Sequence, residues 1–435
     1  MTLHEFRSDV GRVLTHATPM MLALVIPLGA SFVLLAVALA TSRADFAAIV
    51  GTAATISGLG TLVNVGVGIG TLRDLARART DPALIASAIA GNLRLASAVS
   101  FIVVAISAAA GIALTYASPR GSVLGVALWV ALIVQLPANI LSSHTSVLAA
   151  AFQHLGREKD NLTITLTRSL IGLALGLAVV LFIPDPILAI ALQSALASLM
   201  VIAMLVERRR RLAGVGVHVR LLLAPDFSLR RIGDRVLNSL DGAVFMVLFM
   251  VAQMIAASIS VGVAAQVAAG VALCRTIIIP LKMVGQTAGR MSLQDPGKDT
   301  RYVGASFSTV GVFVVPIAGA LLVLASVGVS PVGDATLSAL IAVQLLLEPF
   351  AGSLFAYLKV VFGARAGLLG LLLTYLVLAP IALVACRLLA PDAAALWTCL
   401  VLVRFVFSLA NGAALLRGLR RIRKDQVEVG DDAVR

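Results

Sequence analysis

In a chain that is 60% hydrophobic and only 13% charged, the informative residues are the few charges that interrupt long apolar runs. Two acids do so, Asp241 and Glu348, and the amide Gln344 stands one helical turn before Glu348, on the same face. An ionised side chain at mid-membrane is costly, so it normally faces a bundle interior or a water cavity and marks an ion or substrate path. A carboxylate held there can exchange a proton or accept Na+, and its change of charge biases which way a bundle opens. Asp241, Glu348 and Gln344 are therefore the candidate cation-coupling residues. The bland alternative for each acid is neutralisation by a buried arginine.

The cations inside apolar runs are Arg168, Arg275, Lys282 and Arg404. They are candidates for a substrate cavity, where they would meet an anionic group, and equally for pairing with the acids. Arg275, Lys282, Gln286 and Arg290 recur at steps of seven, four and four, which makes a polar stripe along one side of a helix. Arg290 ends that stripe as an interfacial, snorkelling residue, and Arg94 reads as an interfacial anchor. Proline inside a helix removes a backbone hydrogen bond and can serve as a hinge, which singles out Pro19, Pro280 and Pro349. Pro349 directly follows Glu348, loosening the turn that carries the acid.

The elements that must position these groups are long apolar helices. A run of roughly 20 residues is needed to cross a hydrocarbon core about 30 Å thick. About twelve such runs occur, near 17–41, 46–70, 85–116, 122–152, 162–183 and 186–206, then near 236–257, 260–288, 303–329, 335–361, 365–389 and 392–416. Turn chemistry separates them, as at Pro184-Asp185-Pro186 and Ser330-Pro331. The expected fold is an all-α integral membrane protein of two six-helix, pseudo-symmetric lobes. Its parts are an amino-terminal lobe over 1–206, a basic linker over 207–235, a carboxy-terminal lobe over 236–417 and a tail over 418–435. A phrase recurs in both halves: Ser146, nine residues, Gly156-Arg157, then Ser353, nine residues, Gly363 and, one residue on, Arg365.

The formal charge of +13 is unevenly placed. If the N-terminus is cytosolic, the inner segments hold most of the arginines and lysines, including the run Arg208–Arg211, while the outer loops hold only Arg43, Arg120 and Arg387. That bias follows the positive-inside rule and predicts a multi-pass protein of the cytoplasmic membrane with both termini in the cytosol. It also accounts for the basic excess without nucleic acid as a partner. The first apolar run is too long for a signal-peptide core and is read as an uncleaved helix. Cys274, Cys386 and Cys399 make no disulfide framework, and the five histidines lack metal-ligand spacing. No phosphate-cradling Gly-x-x-x-x-Gly-Lys-Ser/Thr loop occurs, and Gly66-x-Gly68-x-Gly70 reads as close helix packing. The sequence thus predicts no enzyme, no metal and no cofactor beyond a coupling ion, H+ or Na+. The expected partners are the lipid bilayer and a small organic solute, and a monomer is expected.

Several segments resemble the multidrug and toxic compound extrusion (MATE) transporters, within the wider multidrug, oligosaccharidyl-lipid and polysaccharide flippase superfamily. In the first half these are Ala17-Thr18-Pro19, Asp45-Phe46-Ala47-Ala48 and Val65–Thr71. In the second they are Val263–Ala268 with Pro280, Gly285-Gln286-Thr287-Ala288, and Ala351-Gly352-Ser353-Leu354 through Tyr357, then Pro380. The resemblance implies two lobes around a V-shaped cavity, rocking between alternating-access states, with antiport of H+ or Na+ against organic, often cationic, solutes. The chain departs from the family where some members carry an aspartate in span one, near Leu34 here. In span ten the family acid aligns with Gln344, one turn before Glu348, and Asp241 is offset by a few residues. The expectation is a secondary exporter of small organic solutes or drugs. The rival is a flippase for a lipid-linked anionic glycan precursor, carried by Arg168, Arg275, Lys282 and Arg404. A third reading is a structural or assembly membrane protein.

Overall fold

A bilayer offers no water to backbone amides, so a chain of apolar runs must satisfy them within helices. The computed structural model, which describes residues 3–78, 81–117, 123–219, 225–295, 298–362, 366–389 and 392–432, is built of helices with no strand among those residues. In the first half they are α1 (Leu3–Ala40), α2 (Ala44–Ala78), α3 (Pro82–Ala117), α4 (Val123–Val134), α5 (Leu136–His154), α6 (Glu158–Phe182) and α7 (Pro186–Ala213). The second half holds α8 (Leu229–Ile259), α9 (Val261–Gln294), α10 (Asp299–Ser326), α11 (Ala335–Leu346), α12 (Leu354–Val361), α13 (Leu368–Leu372), α14 (Ala379–Leu389) and α15 (Ala393–Asp432). A π-helical turn, Pro349–Ser353, joins α11 to α12, and another, Leu373–Leu378, joins α13 to α14.

Helix starts are set where the turn residues predict. Asp185 and Asp334 accept from the backbone N–H three residues on, at 2.7 and 2.6 Å, and Ser260 does so at 3.1 Å. Gly156 of the repeated phrase stands at φ +67° after α5, and the Arg157 N–H closes the helix end on the Phe152 carbonyl at 2.8 Å. The partner residues Gly363 and Arg365 lie outside the described residues.

Among the described residues eight helices are long and apolar enough to cross a membrane, and ten if each of two bent pairs is one span. With α2 and α8, whose apolar stretches Ala44–Ser57 and Val244–Ile259 are shorter, the twelve crossings fall six to each half. The outer faces carry exposed Phe101, Leu170, Phe182, Val323, Ile381 and Leu402, apolar surface suited to lipid. An even number of crossings brings Leu3 and Asp432 to one end of the bundle. That end, rich in arginine, is called the basic end below.

Several elements run longer than the apolar runs predict. Helix α1 starts at Leu3, because polar residues in its first turns are held by the second half: Arg301 donates twice to Asp9 (2.9 and 2.6 Å) and Arg12 reaches the Tyr302 hydroxyl at 3.4 Å. Helix α7 continues through its arginines to Ala213, and α15 continues to Asp432, so helix enters both the expected linker and the expected tail. The connection after α9 is tied by Tyr302, whose hydroxyl donates to Asp295 at 2.5 Å and, with Lys298 and Arg12 nearby, holds that carboxyl below the usual carboxylate range.

The halves meet along α1, α2, α8 and α9, and the main apolar core spans that seam. Helix α9 is the most enclosed of the candidate spans, with 83% of its apolar window buried. Its alanines and glycines allow this, because small residues let backbones approach closely. At Gly285 a Cβ would collide with the Ser353 carbonyl of the π-helical turn. Polar bonds also cross the seam. Gln253 donates to Thr52 at 2.8 Å, and Arg235 donates to Asp74 at 2.6 Å and to Asn92 at 3.2 Å.

Gly285→Ala is expected to lower stability by about 1–3 kcal/mol, the usual cost of overpacking, since backbone cannot move aside as a side-chain tip would. Denaturant titration of the purified protein in mixed micelles checks this. Gly311→Ala, at a site with open space around the added methyl, is the control.

Candidate functional site

The charged residues picked out by the sequence separate into two groups. In the second half, Glu348 follows α11, where the span bends by 41° into its π-helical turn. Proline at 349 cannot donate the backbone bond that would continue α11, so the bend has a local cause. Glu348 is 0% exposed and Arg404 of α15 is 3% exposed. The guanidinium grips the carboxylate with both arms, Nε to Oε1 at 2.7 Å and Nη2 to Oε2 at 2.6 Å, while Nη1 donates to the Tyr375 hydroxyl at 2.7 Å. Tyr375 lies in the other π-helical turn, so one arginine joins both irregular segments. The Phe245 and Phe407 rings flank the guanidinium at 4.5 and 5.7 Å.

This geometry corrects the expectation for Arg404. It lines neither of the two cavities below; its charge is spent on Glu348, the neutralised reading of that acid. Lys282 also lies away from both cavities, with Nζ 5.9 Å from the Phe245 ring. Gln344 is buried, and its Oε1 has no hydrogen-bond partner among the described residues. Asp241 falls within α8, but its side chain lies outside the described residues. Among the hinge candidates, Pro349 sits at a bend, whereas Pro19 and Pro280 lie within helices assigned without interruption, α1 and α9.

The other group surrounds open space. A cavity of about 340 Å³ is walled by α1, α2, α5, α6 and α7, and by α9 from the other half. A volume of that order suits a small-molecule ligand. Arg168 and Arg275 both line it. Between them stand neutral polar residues that charge-based reading passed over: Ser57, Gln135, Asn139, Ser142 and Gln193. Gln135 occupies the break between α4 and α5, bent by 41° like the fourth span of the second half. Interrupted spans at matching places in two repeats border binding sites in many transporters, and Pro137 just beyond the break was the available signal.

A second cavity, of about 350 Å³, adjoins the first and shares Pro27, Ser142 and Met204 with it. It reaches Glu158 and Arg290, both exposed, at the basic end. Pro19 lines it. So does Arg208, which donates to Asn161, the Thr145 carbonyl and Thr165 at 2.9, 3.1 and 3.1 Å. Among the described residues no group of acids, histidines and cysteines could hold a metal ion.

Arg404→Ala should destabilise the protein by about 3–5 kcal/mol, because it strands a buried carboxylate. Glu348→Ala combined with Arg404→Ala should cost less than Arg404→Ala alone, with unfolding in mixed micelles as the readout. A loss in the double variant equal to the sum of the losses in Glu348→Ala and Arg404→Ala alone would show that the pair is not coupled.

No family model matches the chain, and no curated protein matches it. Solved structures do. The crystal structure of a eukaryotic MATE transporter matches over 97% of this chain and 99% of its own, with a TM-score of 0.70 at 12% identity. A multidrug resistance MATE family transporter of the MOP superfamily matches in its outward-facing conformation over 96% of both chains (TM-score 0.62, 14% identity). Its inward-facing counterpart covers 93% of this chain and 98% of its own (TM-score 0.63, 14% identity). Over nearly its whole length, then, the chain has the fold of the MATE transporters of the MOP superfamily.

Proposed function

We propose that the chain is a secondary transporter that exports a small organic solute by alternating access, in exchange for H+ or Na+. The observation that carries this reading is the cavity itself. Its walls come mostly from the first half, and α9 of the second half closes it, so movement of one half against the other changes its shape and its opening. The cavity reaches exposed residues at the basic end, while the opposite end is packed shut by the α2 contacts with α8 and α9, at Thr52 with Gln253 and Gly51 with Ala268. The fold is known in both outward-facing and inward-facing conformations. On this reading the membrane is the cytoplasmic one, with the basic end in the cytosol, as the positive-inside rule requires. The working unit is a monomer of two lobes, 1–206 and 236–417, joined by the basic stretch 207–235.

Asp241, Glu348 and Gln344 remain the proposed coupling residues, with a condition on Glu348. Its carboxylate is engaged by Arg404, so a cation can bind there only if the bidentate contact opens in another state of the cycle. Its place at a bend between irregular turns supports such a change. The second reading, a flippase for a lipid-linked anionic glycan precursor, is favoured by Arg168 and Arg275 in the cavity.

Two experiments test the proposal. With the native cysteines replaced by alanine, Thr52→Cys plus Gln253→Cys should form a cross-link on mild oxidation that arrests solute efflux from proteoliposomes and is reversed by reductant. Full-rate efflux from fully cross-linked protein would sink alternating access through this end. Separately, Glu348→Gln should abolish the response of efflux to an imposed pH or Na+ gradient. An unchanged response from folded variant removes Glu348 from coupling.

A further inference from the structure

Arginine does not deprotonate in proteins, and an unpaired cation in a low-dielectric interior costs several kcal/mol even after relaxation. Arg404 obeys this rule, since it is paired with Glu348. The first-half cavity does not. Arg275 is 9% exposed; its Nη1 donates to the Ala54 carbonyl at 2.9 Å, and its buried Nε has no hydrogen-bond partner. No carboxylate pairs with it among the described residues. Arg168, partly buried on the same cavity, has neither an ion-pair nor a hydrogen-bond partner there. Arg208, next along the path to the basic end, is 6% exposed and bonded only to neutral oxygens. The one acid lining either cavity, among the described residues, is Glu158, exposed at the rim.

We infer that this cavity binds an oxyanion, a phosphate or carboxylate carried by an organic solute, with Arg275 and Arg168 as its direct partners and Arg208 as a fixed positive charge on the entry path. The chemistry matches the donors. A guanidinium presents parallel N–H groups to two oxygens of such a group, and Arg275 and Arg168 bring two guanidinium groups to the wall of one cavity. The amides of Gln135, Asn139 and Gln193 and the hydroxyls of Ser57 and Ser142 then face the remainder of the solute, which should be rich in hydroxyl or amide groups. At about 340 Å³ the space takes a sugar phosphate or a nucleotide-sized headgroup but not a lipid chain. An organic cation would add to the like charge already there. This assignment names the substrate class and rests on the transporter reading only for its consequence, that the bound anion is moved.

The test separates the two. In a background with Cys274, Cys386 and Cys399 replaced by alanine, a single Asn139→Cys is modified by methanethiosulfonate reagents, one bearing a sulfonate and one a trimethylammonium group. Relative to a free thiol in solution, the sulfonate reagent is expected to be favoured by about tenfold, and Arg168→Gln should reduce that preference. Preference for the trimethylammonium reagent would overturn the proposal. Saturable binding of glucose-6-phosphate, uridine monophosphate and citrate is then measured by thermal shift on the full chain in detergent, with tetraphenylphosphonium as the cationic comparison. At least one anion should bind, and Arg168→Gln and Arg275→Gln should each weaken it by about tenfold or more, as loss of a charge-assisted bond predicts. Arg275→Lys keeps the charge if Arg275→Gln fails to fold, and it should weaken binding less. Arg209→Gln, an exposed residue outside the cavity, should leave affinity unchanged. Equal affinity in the Arg168 and Arg275 variants, or binding of tetraphenylphosphonium alone, would overturn the assignment. Repeating the measurement in nanodiscs of phosphatidylcholine with and without phosphatidylglycerol identifies the source. Competition by phosphatidylglycerol points to a lipid headgroup and its absence to a soluble anion, and either supports the shared chemistry. Anion binding without transport would leave this site standing and remove the transporter reading instead.

Discussion

A guanidinium inside a bilayer needs an anion, and the way that need is met divides this molecule. In the second half Arg404 is satisfied within the protein by Glu348 and Tyr375 and enclosed by aromatic rings. Removing water strengthens such a pair, while desolvation of both charges offsets much of the gain, so its net contribution to stability is small even though breaking it is costly. What the pair supplies is position. It joins α15 to two π-helical turns, where the regular α-helical hydrogen-bond ladder is interrupted. At the first-half cavity Arg168 of α6 and Arg275 of α9 stand without a carboxylate partner among the described residues, which leaves their electrostatic requirement to be met from outside.

Packing decides which half can afford that opening. Helix α9 is wedged between the halves on a surface of alanine and glycine, and contacts such as Gly285 against Ser353 bring it hard against the second half. On its other side the same helix meets α1 and α2 and gives Arg275 to the first-half cavity. One element therefore belongs to the core of one lobe and the binding wall of the other. A displacement of the lobes must move Arg275 relative to Arg168, because the two stand on α9 and α6.

Much of this was legible in the sequence. Apolar run length and turn residues locate the twelve crossings because a bilayer imposes one helix length and one demand on the backbone. Arg168 and Arg275 were recognisable as cavity residues for the same reason, being charges where charge is expensive. Three things were hidden. The pairing of Glu348 with Arg404 joins residues 56 positions apart through tertiary contact, which hydropathy cannot encode. Gln135, Asn139 and Gln193 escaped notice because a neutral amide in an apolar run carries little cost and so little signal. The polar start of α1, ahead of the apolar run near 17–41, gave no hydropathy signal because its partners, Arg301 and Tyr302, lie in the other half.

The unequal halves bear on energetics as well as recognition. A cavity whose cations lack counter-charges stores repulsion between Arg168, Arg275 and Arg208 when it is empty, and a bound anion relieves it. A ligand that binds one state and not another stabilises it by RT ln(1 + [L]/Kd), so on the proposed reading the loaded form is more stable than the empty one. The second half has no such dependence, because Glu348 is part of the chain. On the proposed readings the asymmetry has a mechanical sense: Arg404 keeps a partner within the chain until a cation displaces it from Glu348, while the charges of the first-half cavity are met only when its anion is present. Were Glu348 to exchange Arg404 for a cation, the released guanidinium would become a further unneutralised charge beside α9, and the two lobes would be coupled by electrostatics through that shared helix.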